Sequence, residues 1–472
     1  MLTRLEVDGF KNLLGFSMDL GPYTCIAGVN AAGKSNIFDA IEFLSLLADH
    51  TFMEAAQRLR SAGTRGSDPR SLFWQGGHSE SKRITLVAEM IVPETVEDDF
   101  GRSVSPTTSF LRYELELEYV GPESTSPGHF GRIGLVREEL RHITKGDAID
   151  HLRWPHSKKL FRDKVVTGRR SGTAYISTTP SDDGAGIVNV HQDGGSRGQT
   201  RKSPASRAPR TVVSTTTTSD DPTVLAARRE MQQWRLLALE PSAMRAPDSA
   251  ADPSRIEPNG AHLAAALYRL AERGSEDAVY ATVASEASAL ADVREVGVDF
   301  DPQRELLTLN AQIGTDPRLP ARALSDGTLR FLALCIISID PEFGGVICME
   351  EPENGIHPGR MGAMVELVRG LAVDPFMEPG EGNPLRQVVV NTHSPHYVID
   401  QAADDLVMAV PTTVRRDGGL ATTVRLVPLS GSWRSRAASG ASWTKSDVVE
   451  YLRTPPGSQL KLDMGIDTVL AG

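Results

Sequence analysis

The sequence predicts an α/β protein with a mixed, mostly parallel sheet at its core, an antiparallel β lobe and an inserted helical region. Three observations predict this. First, Tyr23–Ala27, Gly345–Met349 and Gln387–Val390 are short, nearly unbroken apolar runs with helical segments between them, as in parallel strands buried on both faces. Second, Ile84–Ile91, Phe110–Val120 and Gly131–Leu140 alternate with period two between turns rich in Gly, Pro and Ser, as in an antiparallel meander. Third, helical periodicity occupies Thr223–Leu239, Ala261–Arg273 and Glu276–Leu290.

Taken in order, the chain opens with strand-like segments at Thr3–Val7, Phe16–Leu20 and Tyr23–Ala27, bounded by Gly, Pro or Asp-Gly. Ser35–Leu47 then places Ile37, Phe38, Ile41, Phe43, Leu44 and Leu47 at helical spacing, so a buried helix follows. After the meander, 145–220 is rich in Ser, Thr, Gly and Arg and reads as a solvated loop. Between 145 and 210 it carries 13 Lys and Arg against six Asp and no Glu, a local charge of +7 that also suits contact with nucleic acid. Val293–Asp301 and Glu305–Ile313 read as a hairpin, Thr328–Ile339 as an apolar helix, and Asp405–Val410 and Ala421–Val427 as two last strands.

Composition sets the outer bounds. The 472 residues suffice for a large buried core, and 40% apolar with 24% charged residues excludes wholesale disorder and a membrane bundle. No apolar run is long enough to span a bilayer, and the N-terminus lacks the apolar stretch of a signal peptide, so a cytoplasmic protein without membrane insertion is expected. Cys25, Cys335 and Cys348 sit inside apolar runs and make neither a disulfide framework nor a zinc site. A net charge of −11 excludes a uniformly basic surface.

Four short segments carry chemistry. Gly28-Val29-Asn30-Ala31-Ala32-Gly33-Lys34-Ser35 fits G-x-x-x-x-G-K-[ST], follows an apolar strand and opens a helix. In that pattern glycines bring backbone N–H groups onto phosphate oxygens, Lys34 faces the β- and γ-phosphates, and the Ser35 hydroxyl can ligate Mg²⁺. ATP or GTP is the expected ligand. Val346-Ile347-Cys348-Met349-Glu350-Glu351 is an apolar strand ending in two carboxylates, one suited to the Mg²⁺ shell and one to polarising a water. If the strand continues, Glu350 and Glu351 point to opposite faces. Leu324-Ser325-Asp326-Gly327-Thr328 precedes an apolar helix; Ser325 is either its cap or part of a second anion site. His393, in Asn391-Thr392-His393-Ser394-Pro395, follows a strand and can stabilise phosphoryl charge.

Together and in this order, FKNLLGF…CIAGVNAAGKSN, ALSDGTLRFLAL, CMEEPENGIHP and VVNTHSP resemble an ABC-type P-loop ATPase of the SMC, RecF and OLD-like branch, the AAA_21-like "AAA family". The resemblance implies a Walker A loop at Gly28–Ser35 continuing into Asn36, with Asn30, Ala31, Ala32, Gly33 and Lys34 around ATP. It further implies Glu350 as Walker B acid beside Mg²⁺, Glu351 as catalytic glutamate and His393 as switch histidine. Ser325 and Gly327 would form the signature, and Asn354–His357 the D-loop. Two departures stand out: Glu350 replaces the commoner Asp, and the signature reads LSDGT rather than the transporter-like LSGGQ. Gln75 is the candidate for the Q-loop glutamine.

The implied layout is an ATPase head split between 1–80 and 321–410. Between them lie an antiparallel lobe (81–144), a basic insertion (145–220) and a helical and hairpin insertion (221–320), with strands and a tail at 411–472. Some OLD-like relatives carry a C-terminal Toprim nuclease; 411–472 holds no D-x-D, and Asp299-Phe300-Asp301 falls within the hairpin. The function implied is an ATP-hydrolysing switch that forms an ATP-dependent, head-to-tail homodimer. It would act on nucleic acid through 145–210, or control a separately encoded nuclease or effector, in repair or phage defence. A transporter's nucleotide-binding subunit and a non-hydrolysing ATP sensor are the alternatives.

Overall fold

The computed structural model describes residues 1–59, 68–76, 82–121, 131–168, 172–181, 186–193, 200–437, 440 and 442–453. Two sheets dominate. The first has six strands in the order Arg235–Leu237, Gly345–Glu350, Arg386–Thr392, Tyr23–Ala27, Leu406–Arg416, Gly419–Pro428. The first five are mutually parallel, and only the last pairs antiparallel. The fold is therefore mixed α/β, as the apolar runs predict.

Alternation along the central strand shows how both faces are covered. Tyr23, Cys25 and Ala27 face a cluster built with the helices Leu263–Arg273, Glu276–Ser288, Asp326–Ile339 and Met361–Gly370. Ile26 faces the opposite cluster, where Ile37, Phe38, Ile41 and Leu44 of the helix Lys34–Leu47 pack. That helix is held between the parallel sheet and a second, eight-stranded sheet. Its order is Arg201–Pro204, Gly186–Val190, Ile176–Pro180, Arg132–His142, Phe110–Val120, Arg83–Ile91, Leu2–Asp8, Phe16–Asp19. Full burial of a side chain such as Phe38 or Leu44 stabilises the fold by about 1.5–3 kcal/mol.

Three expectations need correcting. The antiparallel lobe is wider than 81–144, because Leu2–Asp8 and Phe16–Asp19 extend its sheet while Tyr23–Ala27 enters the other. The stretch 145–220, read as loop, contributes three more strands to that sheet; composition hides them because Arg201–Pro204 is a fully exposed edge. Within it, 169–171, 182–185 and 194–199 lie outside the described residues, as does the tail 454–472. The helix expected over Thr223–Leu239 ends at Gln232, since Arg235–Leu237 pairs with Ile347–Met349 and satisfies that strand's free edge. Asp299 and Asp301 do lie in the hairpin strand Val293–Asp301. Among the described residues no helix is long and apolar enough to cross a membrane.

Candidate active site

The buried strand Tyr23–Ala27 delivers the chain into Gly28–Ser35 at the C-terminal edge of the parallel sheet. Gly28 passes so close to the neighbouring strand that a Cβ would lie 2.9 Å from the Ala409 carbonyl oxygen. Gly33 has φ +93°, and a Cβ there would meet Asn12 Nδ2 at 2.5 Å. Both positions therefore require glycine. The helix Lys34–Leu47 starts immediately after Gly33, which has no side chain to cap it. The N-terminal end of this helix carries the positive pole of its dipole, which favours an anion.

A cavity of about 620 Å³ opens there. Asn30, Ala31, Ala32, Gly33, Lys34, Ser35 and Asn36 form one wall, and Glu350, Glu351, Asn354 and Asn391 face them, with Asn12 at the margin. Glu350 and Glu351 thus share one cavity; opposite faces were expected only if the strand continued, and it does not. The strand stops at Glu350, and Glu351 adopts left-handed backbone at φ 47°, which breaks the alternation.

Glu351 is held from both sides. Its Oε1 lies 2.5 Å from His393 Nδ1, and its Oε2 accepts from Asn354 Nδ2 at 2.8 Å. Its own N–H donates to the Asn391 carbonyl at 2.9 Å, tying the acidic turn to the adjacent strand. Asn391 Nδ2 donates to Glu350 Oε1 at 3.3 Å. Lys34 is buried, with Nζ donating to the Gly28 and Val29 carbonyls at 2.6 and 2.8 Å. Burial pulls its pKa down, while Glu351, Glu350 and Glu353 pull it up. A lysine so placed gains from an incoming phosphate, because that anion restores the solvation burial removed. Ser35 and Glu350 contribute a hydroxyl and a carboxylate to one cavity, a hard-oxygen donor set that suits Mg²⁺.

The signature residues stand elsewhere. Ser325 caps the helix Asp326–Ile339, its Oγ accepting from Thr328 N–H at 3.2 Å, so the capping role is realised. It is exposed, and neither it nor Gly327 lines the cavity. Arg330 Nη1 donates to the Asn354 carbonyl at 2.8 Å, which links the signature helix to the acidic turn. The amide of Gln75 donates to the Phe73 carbonyl at 2.9 Å, and Gln75 is absent from the cavity wall. Sequence reasoning missed Asn12 and Asn391. Asn12 holds the loop through a 2.8 Å bond from Asn36 Nδ2. Its position inside FKNLLGF was the available signal.

Residues 233–400 match the AAA_21 family model, described as "AAA domain, putative AbiEii toxin, Type IV TA system". A stretch of 120 residues, 25% of this chain, is 29% identical to structural maintenance of chromosomes protein 1 of Schizosaccharomyces pombe; it spans only 8% of that protein's length. Among solved structures, an Smc head bound to the C-winged helix domain of ScpA has a TM-score of 0.44 and 13% identity, covering 91% of this chain and 98% of that one. The Smc head with an extended coiled coil, bound to the C-terminal domain of ScpA and derived from Pyrococcus furiosus, has a TM-score of 0.42 and 11% identity over 96% and 99% of the two chains. The SMC head domain of Thermotoga maritima has a TM-score of 0.35 and 11% identity over 91% and 99%. Residues 233–400, which hold the signature helix, the doubled carboxylates and the strand-end histidine, are thus similar to the AAA_21 family.

Proposed function

We propose that this protein is an ATP-hydrolysing molecular switch whose copies close head-to-tail around ATP and Mg²⁺. The observation that carries the reading is that Lys34, Ser35, Glu350 and Glu351 line a single cavity beside an uncapped helix N-terminus. Lys34 and the loop amides would bind the β- and γ-phosphates. Mg²⁺, held by Ser35 and Glu350, would neutralise phosphate charge. Glu351 would accept the proton of the attacking water, with His393 and Asn354 fixing its carboxylate. The exposed Ser325, outside its own chain's cavity, supports a role for the signature helix at a partner's site. Arg201 and Lys202 on an exposed sheet edge support contact with nucleic acid, or with an effector that the ATP cycle controls in repair or phage defence.

The test is phosphate release from Mg·ATP by the wild type and by Lys34→Ala, beside an ATP-binding titration. Turnover by the wild type, and loss of binding by about 10²-fold or more in the variant, are expected because a buried phosphate loses its cation. Binding without turnover by the wild type would favour the sensor. Equal binding by both proteins would remove the loop from its role.

A further inference from the structure

We propose that Glu353 is a positioning residue that locks Thr392, and through it the His393 loop and the start of the phosphate loop, into register with Glu351. The inference rests on the hydrolytic reading above and adds a residue to it. Glu353 lies two residues beyond Glu351 but outside the cavity lining, with its side chain folded into the interior and 6% exposed. There Oε1 accepts the hydroxyl of Thr392, the fully buried last residue of the strand Arg386–Thr392.

Thr392 joins three elements. Its Oγ1 donates to Glu353 and accepts the Ser394 N–H at 2.9 Å, so the hydroxyl spans His393 and fixes that residue's backbone on both sides. Its carbonyl accepts the Gly28 N–H at 3.1 Å, holding the first residue of the phosphate loop. His393 in turn reaches Glu351 at 2.5 Å. An unanchored Thr392 would therefore loosen both the backbone around His393 and the carbonyl that holds Gly28. A hydroxyl rotates freely unless an acceptor holds its proton in place, and Glu353 is the acceptor here.

The second oxygen of Glu353, Oε2, is buried and has no hydrogen-bond partner among the described residues. An ionised carboxylate so placed would be costly. Burial pushes the pKa of Glu353 up, and the charge of Glu351 pushes the same way, against the Thr392 hydrogen bond. Glutamine matches the shape of that side chain, and its amide oxygen can accept the same hydroxyl.

The experiment compares full-length Glu353→Ala, Glu353→Gln, Thr392→Val and the double variant Glu353→Ala/Thr392→Val. The readouts are kcat for Mg·ATP, ATP Kd and melting temperature. Glu353→Ala and Thr392→Val should each lower kcat by ~10- to 100-fold, the cost of a misplaced reacting group, with Kd changed less than kcat. The double variant should be no worse than the poorer single, because both break one link. Glu353→Gln should keep most of kcat. A role confined to folding would lower the melting temperature and leave kcat per folded molecule unchanged. Wild-type kcat in Glu353→Ala, multiplying losses in the double variant, or a Gln variant as poor as Ala would each overturn the proposal. If Glu353→Ala does not fold, Thr392→Val decides alone, and normal turnover there overturns it. A wild type that binds ATP without hydrolysing it would fail the hydrolytic reading instead, and the inference would fall with it.

Discussion

Replacing Glu351 with Gln separates binding from chemistry at the proposed site. In the structure both carboxylate oxygens have partners, His393 Nδ1 at 2.5 Å and Asn354 Nδ2 at 2.8 Å. The amide keeps one acceptor and turns the other into a donor, so one contact must reverse, and the group can no longer take a proton. General-base catalysis contributes typically 10²–10⁴-fold, so kcat should fall by ~10²-fold or more. Affinity should move the other way. Glu351 is the largest carboxylate contribution at Lys34, and removing its charge lessens repulsion of a triphosphate. ATP Kd should therefore stay equal or tighten. Single-turnover phosphate release and ATP titration, each with Mg²⁺, measure the two quantities. Unchanged kcat would refute the base assignment, and weaker ATP binding at unchanged kcat would show that Glu351 serves binding rather than chemistry.

Three further outcomes follow from other parts of the molecule. Glu351→Gln should accumulate as an ATP-dependent dimer in size measurements, and adding Ser325→Arg should abolish it by placing bulk and charge on an exposed helix end; equal association of both would sink the shared-site mechanism. His393→Ala should lower kcat by about tenfold, within the range lost when a reacting group is less well oriented, while ATP affinity stays put; weaker binding at unchanged kcat would place His393 in binding. Glu138 is buried beneath the amides of Val212 and Val213, and burial raises its carboxyl to about 7 from 4.5. The folded protein thus retains a proton that the unfolded chain releases, so stability is fully present below 4.5 and is lost as pH rises through about 7, on the order of 3 kcal/mol in all. Melting temperatures across that window should fall less in Glu138→Gln; parallel profiles would show that Glu138 is not the group responsible.

Local signals were legible wherever backbone periodicity and burial coincide. The runs around Tyr23–Ala27 and Gly345–Glu350 read as strands because both of their faces are covered, and Gly28–Ser35 read as a phosphate loop because its glycines and lysine stand at fixed offsets. Arg201–Pro204 and Arg235–Leu237 were not legible as strands. Both are three or four residues long and lie at sheet edges, and pairing with a neighbour rather than intrinsic propensity makes them extended.

The sequence by itself determined that a phosphate loop, a doubled acidic strand end and a strand-end histidine occur in this chain, since each is written within a dozen contiguous residues. Only the tertiary structure decided how they meet. Asn391 enters the site because three parallel strands end together, and Asn12 because the turn after Leu2–Asp8 of the other sheet reaches the same rim. Glu350 and Glu351 serve one cavity because a single left-handed residue ends the strand's alternation, a choice of backbone angle that no side-chain pattern announces. Ser325 stands outside the cavity for the corresponding reason: its helix packs beyond the acidic turn, and distance along the fold, unlike spacing along the chain, depends on everything packed between.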